Sequence, residues 1–385
     1  MPDLHALLSP SSAHRWMNCP SAPRLEAAVE DSGSDYTREG TLAHAYCAKK
    51  LKTVLGLDTA AENAEIAELN GQYYSGEMDE YTDAYTAIVL EKYSLAKRKI
   101  RDAQLLVESR LDFGSYVPES FGTSDAIIIA DGVMEVIDFK YGKGVRVSAV
   151  GNEQMRIYAL GAYLSYYFEY RIDRVRMTIV QPRLDNLSED EMSASDLIRW
   201  AETELRPKAA AAFSTDGAQV PGDWCRFCKV KSRCRALAAQ CVDASKRNPD
   251  PRLLSAEELA RHVLPVLDTV KSWVSGIEEY ALQSALDGVS YPGYKVVAGR
   301  SVRRITDTEA VKAILAKEGY HESEYMKPAT LAGISDIEKM MGKKRFADVC
   351  SAYIIKPQGK PTLVTDDDKR PAYNAVADDF SNIEV

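Results

Sequence analysis

The sequence predicts an α/β sandwich built on a mixed sheet with helices on its flanks, and three observations predict it. Residues 121–140 hold two β-branched runs, Ala126 to Ala130 and Val133 to Ile137, separated by Asp131-Gly132. That dipeptide tolerates positive φ at both positions, so it joins antiparallel strands in a two-residue turn. An alternating segment, Gln104 to Phe113, leads into this hairpin, and another, Arg174 to Gln181, follows it and is closed by Pro182. Between the hairpin and that last strand lies a strongly helical stretch, Asn152 to Glu169. Helices, three antiparallel-compatible strands, a helix, a strand and a helix is the order of a mixed sheet covered by helices.

The elements follow in turn. Ser9-Pro10 opens a short helix to about Met17, with Ser9 as N-cap and Pro10 in the first turn; Cys19 falls just past its end, before Pro20. A second helix is expected from Thr37 to Leu55. Its apolar stripe includes Leu42, Ala45, Tyr46 and Ala48, with His44 beside it. By itself His44 reads more simply as a structural histidine than as a ligand. Asp58 to Gly76 is polar and reads as a loop or lid with a helical portion. Glu77 to Asp102 reads as a long helix whose tyrosine stripe serves the core rather than nucleobase stacking. After the hairpin, Gly142 to Gly151 is expected to be a basic, flexible loop, and a helix runs from about Ala194 to Phe213.

Polar residues at the outer ends of the hairpin give it chemistry. Asp125 opens the first strand, and Asp138 and Lys140 close the second. In an antiparallel pair those ends lie side by side, and residues two apart on a strand share a face. Carboxylates gathered in this way suit Mg²⁺ or Mn²⁺, and a neighbouring lysine can serve an attacking water and stabilise charge on phosphorus. Alone, Asp-x-Lys is more simply a solvated ion pair of little consequence. On the following helix Gln154 and Tyr158 are four apart and share a face, with Arg156 on another.

Cysteines supply a second dense motif. Cys225, Cys228 and Cys234 stand in the spacing C-x₂-C-x₅-C, which suits zinc or an iron-sulfur cluster and in either case needs a fourth ligand. Cys241 and the remote Cys19 are both candidates. Arg226, Lys229, Lys231, Arg233 and Arg235 surround the motif, and they can offset thiolate charge or touch phosphates.

At 385 residues, 45% hydrophobic and 27% charged, the chain has the composition of a globular protein large enough for two or three domains. No apolar run approaches the roughly 20 residues that cross a membrane, and the opening residues lack the basic stretch of a signal peptide. The expectation is a cytoplasmic protein with no membrane partner. Seven cysteines, an odd number, in such a chain argue against a disulfide framework. A net charge of −9 does not favour a simple nucleic-acid coat, but an enzyme on nucleic acid needs only a local basic surface, so charge alone leaves the partner open. Neither an internal repeat nor a P-loop is present.

Beyond Asn248 the composition shifts. Asn248-Pro249-Asp250-Pro251 marks a linker, so the expected domains are 1–247, an accessory helical or α+β region 248–365, and an acidic, mobile tail 366–385. Ser255-Ala256-Glu257-Glu258 starts a helix of about thirty residues with a capping box, interrupted near Pro265. Tyr294 to Ile305 reads as a basic strand pair or ribbon with Arg300, Arg303 and Arg304. Helices are expected around Asp307 to Glu318 and Ile334 to Met341, leading to Lys343-Lys344-Arg345.

Taken together and in this order, the motifs resemble the RecB-type branch of the PD-(D/E)xK nucleases, in particular the iron-sulfur nucleases typified by the AddB nuclease domain and those of CRISPR adaptation. Glu39-Gly40-Thr41 with His44, Gly122 to Asp125, Asp138-Phe139-Lys140, and Gln154 with Tyr158 match the family's successive motifs. The resemblance covers about residues 5 to 245. It implies a restriction-endonuclease-like core with a helical iron-sulfur staple, and Mg²⁺ or Mn²⁺ held by His44, Asp125, Asp138 and the Phe139 carbonyl. It further implies Lys140 in the catalytic position and Gln154 and Tyr158 positioning substrate or water. Glu108 is a secondary candidate for a second metal or for supporting the first. The family's cysteine order, one before the core and three after, makes Cys19 the fourth ligand of a 4Fe-4S cluster with Cys225, Cys228 and Cys234, in preference to Cys241.

The expected activity is a metal-dependent DNA nuclease, an exonuclease on free or single-stranded ends in phage recombination or replication, with a recombination or single-strand-binding protein as a possible partner. A non-catalytic DNA-binding or assembly subunit with the same fold and cluster is the alternative, and a zinc-stapled RNA-processing nuclease is a third. The Ser-Pro-Ser-Ser-Ala-His-Arg-Trp opening and the Lys369-Arg370-Pro371 ending are also similar to phage and prophage proteins catalogued as a domain of unknown function. No helicase motif accompanies them.

Overall fold

The computed structural model describes residues 6–29, 35–130, 132–246, 252, 254–299, 303–327, 330–331, 333–355, 359–365 and 371. Asp131, Arg300, the expected linker at 248–251 and, apart from residue 371, the tail from 366 lie outside the described residues. Two compact units are present, Met1–Trp273 and Val274–Val385. No helix among the described residues is long and apolar enough to cross a membrane.

Unit 1 is organised by a five-stranded sheet in the order β1 (Gln104–Asp112), β2 (Phe121–Ala130), β3 (Gly132–Phe139), β4 (Ile172–Gln181), β5 (Asn186–Ser193). Only β3 and β4 are parallel, because α6 (Glu153–Tyr166) carries the chain back between them. The hairpin turns where the sequence predicts: Ala130 pairs with Val133, and Gly132 takes φ +73°. β5 is an addition to the sequence reading. Its residues, Asn-Leu-Ser-Glu-Asp-Glu-Met-Ser, are too polar to signal a strand. At the sheet edge they need bury little, and acidic side chains there discourage further strand pairing.

Alternation along the strands sorts the core into two layers. Ala126, Ile128, Ile137 and Phe139 pack with α3 (Asp35–Leu55) and α5 (Gly76–Lys99). Ile127, Ile129, Met134 and Val136 pack with α6 and with Trp16 of α1 (Ala13–Asn18). Asn152 caps α6 by accepting a hydrogen bond from Met155 N at 3.1 Å. At Gly161, α6 lies so close to the sheet that a Cβ would sit 2.3 Å from Phe113 Cε1 and 3.1 Å from Leu111 Cβ. Gly161→Ala should therefore lower stability by about 1–3 kcal/mol, the usual range for overpacking, despite alanine's better helix propensity. Urea unfolding of the two proteins measures it; equal midpoints would show that α6 can shift freely.

Two further expectations are corrected. Asp58 to Gly76 is mostly a regular helix, α4 (Ala60–Tyr73), rather than a loop. Buried Glu62 and Ile66 hold it on α3, Glu62 pairing with Lys52 at 2.5 Å, a tertiary anchor that a polar sequence conceals. The loop from Gly142 to Gly151 is pinned rather than flexible. Buried Gln181 donates to Gly142 O and Val145 O at 2.6 and 2.8 Å and accepts from Val147 N, while Asn186 donates to Val147 O at 2.8 Å.

The helix predicted from Ala194 to Phe213 is present as α7 (Ala194–Trp200) and α8 (Arg206–Phe213), continuous through a wide π turn, and α9 (Arg235–Lys246) comes later. The helix expected after Ser255 is α10 (Ala256–Glu258), a π turn and α11 (Leu264–Leu286), with the capping box formed: Ser255 Oγ accepts from Glu258 N, and Ser255 N donates to Glu258 Oε2 at 2.9 Å.

Unit 2 has its own small core around Val311, Leu315, Tyr325 and Phe346. Its helices α12 (Thr308–Lys317) and α14 (Ile334–Met341) fall where the sequence places them, α13 (Glu322–Tyr325) standing between; α15 (Lys343–Cys350) follows. The ribbon expected from Tyr294 to Ile305 is corrected, because its two strands do not pair with each other. β6 (Tyr294–Gly299) pairs with β11 (Gly359–Thr365), and β7 (Arg304–Ile305) with β10 (Ile354–Ile355). A further short pair, β8 (Met326–Lys327) with β9 (Thr330–Leu331), lies between them in sequence.

Candidate active site

The ladder between β2 and β3 ends at Ala126 opposite Ile137, so Asp125 and Asp138 are the first residues beyond the last paired rung. On the other side of β2, Val107 pairs with Ala126 and Ser109 with Ser124, leaving Glu108 opposite Asp125 but unpaired. Three carboxylates thus form one row across three strands, at an unpaired rung between β1 and β2 and at the end of the β2–β3 ladder. Glu108 has a φ of +51°, unusual for a residue with a side chain. Such backbone costs about 1–3 kcal/mol and tends to gather at working sites. An alternating pattern carries no sign of a turned backbone; a glutamate directly after the apolar run Leu105-Leu106-Val107 is the available signal.

Side chains from both layers reach the row. His44 Nδ1 on α3 lies 3.1 Å from Asp125 Oδ1, and Phe139 N donates to Asp125 Oδ2 at 2.7 Å. The Phe139 ring is fully buried, 5.2 Å from the His44 ring and 4.8 Å from that of Tyr85, which fixes the strand end under the histidine. Lys140 Nζ lies 2.9 Å from Asp138 Oδ2 and donates to Gln154 Oε1 at 3.0 Å, while Gln154 Nε2 donates to Asp138 Oδ1 at 3.3 Å. The parallel partner of β3 holds this end in place, with Lys140 N donating to Val180 O at 2.9 Å. Tyr158, buried, packs one turn further along α6 against Phe113 and Gly122, where a Cβ would meet its ring at 3.0 Å. That close approach accounts for the glycine at the start of the Gly122 to Asp125 motif.

Ligand atoms of His44, Glu108 and Asp125 all lie within 4.8 Å of one another, and Asp138 stands beside Asp125 at the fork. Burial opposes a charge on His44, but Asp125 outweighs it and lifts the imidazole to about 9. Burial, aided by the charge of Asp125, pushes Glu108 up to about 8. Burial raises Asp138 against the pull of Lys140, and burial followed by Asp138 raises Tyr158. Asp125 is lowered: burial works against it, and His44 prevails. Negative charge is therefore in excess at this spot, and protons are drawn to it. An oxygen-rich donor set with one imidazole and unbalanced negative charge fits a divalent cation.

One neighbour escaped the sequence reading. Arg183, nearly buried just past β4, lies 4.6 Å from the Tyr141 ring centre and 5.8 Å from that of Tyr81, and pairs with Glu39 at 3.3 Å. It ties the residue after Lys140 to the Glu39-Gly40-Thr41 segment of α3. Its position at the C-terminal end of a strand was the signal that could have found it.

The cysteines meet elsewhere in unit 1. Cys19, Cys225, Cys228 and Cys234 line one small cavity together with Arg15 and Lys231. Val220 N donates to Cys19 Sγ and Gly222 N to Cys225 Sγ, each at 3.4 Å. Burial pushes the Cys228 thiol up to about 12. Four cysteines lining one small cavity, with backbone N–H groups reaching Cys19 and Cys225, fit a bound metal or cluster. Cys241 is not among the lining residues; it is buried with Leu237, Val270 and Trp273 in a cluster that also includes Cys225 and Cys234.

His14 joins the two regions, its ring lying 3.3 Å from Glu153 on α6 and 3.4 Å from Asp223 beside the cysteine segment. Its hydrogen bond to Glu153, chiefly, raises it above 6.5. A raised histidine stabilises the fold fully below its unfolded value, and the gain disappears as pH climbs through the folded value. Because the ring is about half exposed, the expected effect is small. His14→Gln should cost about 0.2–1 kcal/mol near pH 5.5 and less at pH 8.5, read from urea midpoints; a cost that grows with pH would contradict the pairing.

Fold and site define a mixed α/β protein with a carboxylate, histidine and lysine centre and a separate four-cysteine cluster. The chain belongs to the DUF2800 family, described as "Protein of unknown function (DUF2800)", whose model matches residues 5–371. Among solved structures it is similar to a presumed exonuclease from Eubacterium rectale, at 9% identity and a TM-score of 0.33 over 66% of this chain and 93% of that one. It is also similar to SSO0001, at 15% identity and a TM-score of 0.26 over 59% and 85%. Likenesses at this level carry no argument about this chain's fold or chemistry.

Proposed function

We propose that this protein is a metal-dependent deoxyribonuclease of the RecB-like, PD-(D/E)xK kind, acting on DNA ends as an exonuclease in phage recombination or replication. The observation that carries the reading is Lys140, whose ammonium is shared between Asp138 and Gln154 beside the Asp125 and His44 pair. A lysine held in that way is aimed, and a binding module has no use for the arrangement.

His44, Asp125 and Asp138, with the Phe139 carbonyl and with Glu108 in reach, would hold Mg²⁺ or Mn²⁺, which supplies Lewis acidity and an activated water when bound. Lys140 orients the attacking water and offsets the charge that grows on the phosphoryl oxygens. Gln154 fixes both Lys140 and Asp138, so the ammonium and the carboxylate keep their relative positions as charge shifts. Tyr158 supports Gln154 from the next turn of α6. Cys19, Cys225, Cys228 and Cys234 would hold a 4Fe-4S cluster that staples the start of the chain to the segment after the sheet. Arg226, Lys229, Lys231, Arg233 and Arg235 around them would meet DNA phosphates.

Purified protein should release nucleotides from end-labelled linear DNA in Mg²⁺ or Mn²⁺, and should spare a covalently closed circle. Cleavage of the circle would make it an endonuclease, and cleavage of RNA in preference to DNA would favour the RNA-processing reading.

A further inference from the structure

Past the centre, the ladder between β1 and β2 runs on where the one between β2 and β3 has stopped. β2 parts from β3 at Ala126, opposite Ile137, but stays paired with β1 as far as Phe121, opposite Asp112. Successive residues along it take opposite faces. Leu111 packs in the core layer of α6, and a Cβ at Gly122 would meet the Tyr158 ring of α6 at 3.0 Å. Arg110 and Phe121, their neighbours in sequence, therefore turn to the other face, the one from which His44 on α3 reaches Asp125. Phe121 is four residues from Asp125, about 13 Å at the rise of an extended strand.

On that face the Arg110 guanidinium lies over the Phe121 ring, 4.2 Å from its centre. Phe121 is half-buried and Arg110 exposed. Among the described residues Arg110 has neither an ion pair nor a hydrogen bond, whereas Arg174 and Arg176 on β4 meet Glu191 at 3.0 and 2.7 Å. Both Arg110 and Phe121 line an open cavity of about 560 Å³ with Asp112, Gly114, Glu119 and Ser120, a volume within the range of about 300–1,000 Å³ that holds small ligands. None of these residues belongs to the metal trio of His44, Glu108 and Asp125. Glu119 stands on a backbone of φ +53°, which a residue with a side chain seldom adopts, and Asp112 Oδ1 accepts from Gly114 N at 2.6 Å. Two carboxylates in the wall disfavour a phosphate inside the cavity. A neutral nucleobase meets no such penalty: its face extends the stack that Arg110 and Phe121 begin, and the N–H groups of its edge find carboxylate acceptors.

We propose that Arg110 and Phe121 form a stacking subsite for one base of a single-stranded DNA whose backbone crosses the centre at Asp125 and Lys140. Even at the roughly 3.4 Å rise of a stacked strand, the chain of nucleotides covers the distance from Asp125 within a few residues. The subsite stands on the strand that carries Asp125, so a base held there fixes which phosphodiester meets the metal ligands. That role in cleavage rests on the nuclease reading above, whereas the binding of a base does not.

Affinity of the full-length chain in Ca²⁺ for oligo(dT), and for an abasic strand of the same length that keeps the sugars and phosphates, separates stacking from charge. Wild-type protein should bind oligo(dT) about 5–150-fold more tightly, the range for one stacked base. Phe121→Ala should remove most of that preference without weakening the abasic strand, and Phe121→Tyr should keep it. Arg110→Ala should narrow the preference too and, because Arg110 is exposed, tests the subsite even if Phe121→Ala fails to fold. Equal wild-type affinity for the two strands, or a preference unchanged in Arg110→Ala and in a folded Phe121→Ala, would overturn the subsite and leave the nuclease reading standing. The expected preferences without any cleavage of oligo(dT) in Mg²⁺ or Mn²⁺ would overturn the nuclease reading alone, and binding of neither strand would overturn both.

Discussion

Lys140→Ala should lower DNA cleavage by about 10²–10⁴-fold, the range over which a positioned acid-base or charge-stabilising group contributes, while leaving metal and DNA affinity nearly unchanged. Its ammonium contacts Asp138 and Gln154 but supplies no metal ligand. Asp138→Ala should reduce cleavage at least as much for a different reason. It deletes one of the proposed metal ligands, so affinity for Mg²⁺ should fall, and excess Mn²⁺, more tolerant of imperfect sites, should restore a trace of activity. Calorimetry for metal, DNA binding in Ca²⁺, and single-turnover cleavage separate the two variants. Wild-type cleavage by Lys140→Ala would move the non-catalytic reading ahead.

Cys19→Ser should lose the proposed 4Fe-4S cluster and lower stability by about 2–5 kcal/mol. In the proposed cluster its link to Cys225 would close a loop of about two hundred residues, and cross-links over long loops restrict the unfolded chain most in the entropy account. Cys241→Ser should keep the iron, because Cys241 does not line the cavity that Cys19, Cys225, Cys228 and Cys234 share. Iron and acid-labile sulfide after anaerobic purification, with urea unfolding of both variants, test this; about four irons per wild-type chain are expected for one cubane. Zinc without sulfide would replace the cluster with a zinc staple, and iron retained by Cys19→Ser but lost by Cys241→Ser would reverse the ligand assignment.

The parts of the fold legible in the sequence were those whose signal is local. Asp131-Gly132 between β-branched runs marked the hairpin, and Asn152 before an apolar periodic stretch marked the start of α6. β5 is absent from the sequence reading and α4 appears there only as the helical portion of a loop, because each is held by tertiary partners: β5 by β4 alongside it, α4 by the pairing of Glu62 with Lys52 and by Ile66 in the core. The same division runs through the site. Asp125, Asp138 and Lys140 converge because a two-residue turn dictates that strand ends meet, and Gln154 joins them from the helix that follows. Glu108 and Arg183 depend on a backbone reversal and on a packing of rings across four elements, for which no local pattern exists.

The central claim is that this centre directs water onto a phosphodiester of DNA. Cleavage of a labelled oligonucleotide in ¹⁸O-enriched water with Mn²⁺, followed by mass spectrometry of the products, tests it most directly. Wild-type protein should place one ¹⁸O on each new terminal phosphate, with none formed in EDTA or by Asp125→Asn. Intact oligonucleotide after incubation with wild-type protein in Mg²⁺ and in Mn²⁺, or cleavage undiminished in Asp125→Asn, would contradict the account.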